Sequence, residues 1–91
     1  MSRRRLIVAR QSLASAVAAA CHARADSELA RAADTELLGA ELTLRLTDAT
    51  PLADRLERAR ELGICEADGR AECREVMQLL DARLDPSGVQ A

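Results

Sequence analysis

The sequence predicts an all-α fold, either a small bundle of about four helices or helical hairpins completed by a partner chain. Three observations carry that expectation. The strong helix formers Ala, Leu, Arg and Glu dominate the chain, and β-branched residues are few. Helix-boundary signals fall near Ser27, at Thr50-Pro51, at Gly63 and at Asp85-Pro86-Ser87-Gly88. Between those signals, apolar residues recur at helical spacing. A length of 91 residues is one domain, spanning 1–91.

The first helix is expected over about residues 1–25. Leu6, Leu13, Val17 and Ala20 fall on one stripe, flanked by Ile7, Ala14, Ala18 and Cys21 and interrupted by Arg10 and Arg24. Two possible helix starts follow, Asp26-Ser27-Glu28 and Asp34-Thr35-Glu36, each with a capping side chain and an acid in the first turn. They lie eight residues apart, so only one can open a long helix, and Ser27 is the choice.

That second helix holds five of the fourteen leucines between Leu37 and Leu46. Leu29, Ala33, Leu37, Ala40 and Leu44 make one face, and Leu38, Leu42 and Leu46 extend it into a broad apolar stripe. Leu42→Ala is then expected to cost ~2–5 kcal/mol, as for a core leucine. Glu41 and Arg45 form a helical pair, and Gly39 lets a neighbouring helix come close. Leu42-Thr43-Leu44-Arg45-Leu46 also alternates as a strand would, but leucine's helix preference and the lack of a partner strand favour helix. Thr50 as cap with Pro51 in the first turn opens a third helix, with Leu52, Leu56 and Ala59 inward and Asp54 paired to Arg58. Gly63 ends it, with Ile64 folding back. Asp68 caps a fourth helix whose inner face is Cys73, Val76, Met77, Leu80 and Leu84, and residues 85–91 form a short tail.

Composition narrows the functional classes. The chain has no Phe, Trp or Tyr, and so no stacking platform for single-stranded nucleic acid. It has no Lys, which removes Schiff-base chemistry and any lysine-dependent phosphate loop. Nineteen residues are Ala, and Leu, Ile, Val and Met together supply 22 bulky side chains. So little bulk suggests a chain that gains by burying surface against a second copy or another helical protein.

Charge is split. Residues 1–25 carry five Arg and no acid, whereas from Asp26 onward fifteen acids face eight Arg, a balance of −7. Arg3, Arg4, Arg5 and Arg10 are therefore possible anion contacts, which leaves a nucleic-acid role as the alternative. A helix-turn-helix at Gly63 is disfavoured, because Arg70, Arg74 and Arg83 are balanced by Glu72, Glu75 and Asp81.

Three cysteines do not make a disulfide framework, and reduced thiols suit a cytoplasmic location. The alternative is export or organelle targeting. Ser2-Arg3-Arg4-Arg5-Leu6-Ile7 resembles a twin-arginine signal, and Ala23-Arg24-Ala25 has the small-x-small form of a cleavage site. Arg10 and Gln11 break the apolar region such a signal needs. No apolar run approaches the ~18 residues of a membrane span.

Catalytic and metal chemistry find little footing. His22 neighbours Cys21, but adjacent helical residues point about 100° apart. Cys21, His22, Cys65 and Cys73 lack the short Cys-x-x-Cys spacing of zinc sites. Asp68-Gly69 lacks the further oxygen ligands of a calcium loop. No catalytic residue, cofactor or metal is expected. Residues 9–46 resemble the helical region of a tRNA-modification GTPase, chiefly in Glu36-Leu-Leu-Gly-Ala-Glu-Leu-Thr-Leu44 and its spacing from Arg10. That family's GTP-binding loop and terminal cysteine motif have no counterpart here, so none of its activity is implied.

The expected function is a non-enzymatic helical interaction module: a small subunit, adaptor or chaperone-like partner. Leu37, Leu38, Leu42, Leu44, Leu46, Leu52, Leu56, Val76 and Leu80 would form its interacting helix faces.

Overall fold

Four helices and three short connections make up residues 3–85, the part of the chain that the computed structural model describes. They are α1 (Arg3–Ala20), α2 (Glu28–Leu46), α3 (Thr50–Leu62) and α4 (Ala67–Leu84). Each packs on its neighbour in sequence, and α1 closes the ring against α4. Consecutive helices run antiparallel. Arg5 at the start of α1 donates to the Leu46 carbonyl at the end of α2, and Arg3 donates to the Leu84 carbonyl at the end of α4. The fold is thus a four-helix bundle closed within one chain.

Local chemistry sets the boundaries. Ser27 does cap α2: its backbone is extended, and its hydroxyl accepts from the Ala30 amide at 3.1 Å. The rival start at Asp34 lies in mid-helix. The first helix stops at Ala20, earlier than the expected 25, and a turn closed by the Ser27 amide on the Arg24 carbonyl at 3.0 Å leads into α2. Asp48 follows α2 in the left-handed region (φ 62°), and the Ala49 amide closes back on the Leu44 carbonyl at 2.9 Å. α3 begins one residue sooner than its signal implies. Ala49 is its cap residue, and Thr50 and Pro51 both sit in the first turn. Glu66, not Asp68, precedes α4, which leaves Asp68 in the first turn, where its charge favours the helix dipole.

Among the described residues, nine of the twenty buried apolar ones are alanines. Small side chains let helix axes approach, so the interior is narrow and rich in backbone contact. On α1 the buried stripe is Leu6, Ala9, Leu13, Ala16, Val17 and Ala20. Ala9 and Ala16 thus take the flank that had been expected of Ile7, Ala14 and Ala18. Arg10 does not break this face. It lies at the edge and pairs with Asp81 of α4 at 2.8 Å.

The expected broad stripe on α2 resolves into two. Ala33, Leu37, Ala40 and Leu44 are fully buried, whereas Leu38, Leu42 and Leu46 are 40%, 52% and 74% exposed. Leu29 is also exposed. Leu42 is therefore not a core residue. Gly39 faces open space rather than a neighbouring helix. The close approach falls instead at Gly69, where an added Cβ would lie 2.0 Å from the Gly63 carbonyl oxygen. Gly63 itself holds φ 98°, which ends α3 and lets Ile64 turn into the core. Cys73, Val76 and Leu80 form the buried face of α4, with Met77 and Leu84 partly covered.

Two paired substitutions test this assignment by urea or thermal unfolding. Leu44→Ala should cost about 2–5 kcal/mol, whereas Leu42→Ala should shift stability by less than about 0.5 kcal/mol. Gly39→Ala should stabilise by about 0.5–1 kcal/mol through helix propensity. Gly69→Ala should destabilise by about 1–3 kcal/mol or more, because helix α4 must move off the Gly63 carbonyl.

Candidate functional site

The residues singled out as interacting faces separate cleanly. Leu37, Leu44, Leu52, Leu56, Val76 and Leu80 lie inside the bundle, between 0% and 4% exposed. Leu38, Leu42 and Leu46 remain outside. They follow one another at four-residue spacing along the side of α2 away from the core, and Thr35 continues the line towards the start of the helix. This apolar ridge is the candidate site.

Its flanks are charged with opposite sign. On the side of α1, near Leu46, lies Arg5, which donates to the Leu46 carbonyl at 3.4 Å, while Arg4 is exposed on the side of α1 away from its buried stripe. On the side of α3 stand Asp54 and Glu57, bound to Arg45 at 3.0 and 2.8 Å. Asp48 is exposed in the intervening turn. The expected Asp54–Arg58 pair gives way to this Asp54–Arg45 contact between helices.

Beneath the α3 flank, Glu41 is buried. Its carboxylate accepts from Arg60 Nε and Nη2 at 3.0 and 2.9 Å and from Arg45 Nη2 at 3.3 Å. Three charge-assisted bonds offset the cost of burying the carboxylate, and they fix how α2 meets α3. The Glu41–Arg45 pair expected within α2 is thus one edge of a network reaching Arg60, Asp54 and Glu57. A clue was present in the sequence: Glu41 stands four residues after Leu37 and three before Leu44, on the same helical face.

The N-terminal arginines are partly committed elsewhere. Arg3 donates to the Leu84 carbonyl at 2.6 Å, and Arg10 holds Asp81 through two bonds at 2.8 and 3.2 Å. Of the four possible anion contacts, two therefore fasten α1 to α4.

The thiols and the histidine are dispersed. Cys21 and His22 are exposed just beyond α1, Cys65 is half-buried after α3, and Cys73 is in the core. Burial, helped by the Glu72 carboxylate, pushes the Cys73 thiol up to about 11, so it stays protonated at neutral pH. Arg74 Nη2 donates to Cys21 Sγ at 3.6 Å. Among the described residues, no three His, Cys, Asp or Glu side chains converge in a way that could hold a metal ion. Nor is any described helix long and apolar enough to cross a membrane. An open groove of about 270 Å³ between α3 and α4 is lined by Arg58, Leu62, Asp68, Ala71 and Glu72. Comparison with protein families, with curated proteins and with solved structures finds no match to this chain.

The α1–α4 clasp has a defined pH dependence. The hydrogen bond from Arg10, opposed slightly by burial and aided by its charge, holds the Asp81 carboxyl below its ordinary value. A carboxyl depressed in the folded state stabilises above the unfolded pKa of about 3.9, and that contribution fades as pH falls through the folded value. The group is exposed, so its effect is small. Asp81→Asn should lower stability by about 0.2–1 kcal/mol at pH 7, and the gap from wild type should close in acid, as read by urea unfolding across pH.

Proposed function

We propose that this chain is a non-enzymatic helical interaction module that docks through the outer ridge of α2. The observation carrying this reading is the exposure of Leu38, Leu42 and Leu46 on a helix whose opposite face already fills the core. Exposed leucine adds nothing to the fold, and each apolar Å² left in water forgoes about 25 cal/mol that a covering partner would restore. The three form one line rather than scattered single residues, as helix-in-groove and helix-on-helix recognition require. The chain then acts as a small subunit or adaptor whose partner sits on an already closed bundle. The arginine arm supports a nucleic-acid role less well, because Arg3 and Arg10 already serve α4.

Photo-crosslinking tests this reading on the full-length chain in the cells that make it. Benzoylphenylalanine replacing Leu42 should give adducts with protein, insensitive to nuclease, while the same probe at exposed Gln78 of α4 should not. Equal yields at both positions, or adducts that nuclease removes, would overturn the proposal.

A further inference from the structure

We draw no further inference here: the strongest candidate, the exposed leucine ridge of α2 formed by Leu38, Leu42 and Leu46, belongs to the site already described, and nothing in the structure shows what covers it.

Discussion

Alanine governs this structure. With no aromatic residue to span a wide interior, the four helices hold together by coming close, and Ala9, Ala16, Ala33, Ala40, Ala53 and Ala59 are the fully buried side chains that let them. A narrow interior has little room for bulk. Each helix can turn roughly one column of large side chains inward, and α2 carries more leucine than one column holds. Leu37 and Leu44 are taken in, while Leu38, Leu42 and Leu46 are left on the far side. The candidate docking ridge is thus a consequence of the same constraint that closes the core.

Which parts of this were legible beforehand follows from the range of each interaction. Helix starts and stops depend on neighbours a few residues away, and so Ser27, Gly63 and the turn before Pro51 were readable to within a residue or two. The division of α2 into an inner and an outer face was not. Its leucines occupy both sides of the helix, and spacing alone cannot tell which line meets the other helices. Glu41 would have misled too, since a carboxylate seldom shares a face with the core unless it is paired, and its pair with Arg60 joins different helices. The close approach expected at Gly39 falls at Gly69 for the same reason: it belongs to the packed structure, and glycine in a helix does not announce it.

The division of charge along the chain takes on a different meaning once the helices are in place. An acid-free first helix beside an acidic remainder suggests an arm reaching outward. Two of its arginines reach across to α4 instead, Arg10 to the Asp81 carboxylate and Arg3 to the Leu84 carbonyl, so one ion pair and one hydrogen bond draw the first and last helices together. Salt bridges at this exposure are individually weak. Their placement counts for more than their strength, because α1 and α4 are the pair with no short connection to bring them together.

The contact between the turn after α3 and the first turn of α4 constrains how such a chain can diverge. Gly63 needs its left-handed backbone, and Gly69, six positions on, needs the vacancy beside the Gly63 carbonyl. A side chain at Gly69 would strike the Gly63 carbonyl, and a side chain at Gly63 would strain the backbone that places it there. A glycine pair at this interval, with an aliphatic residue directly after the first as at Ile64, is therefore a compact signature by which distant kin could be recognised after the helix surfaces have drifted beyond alignment.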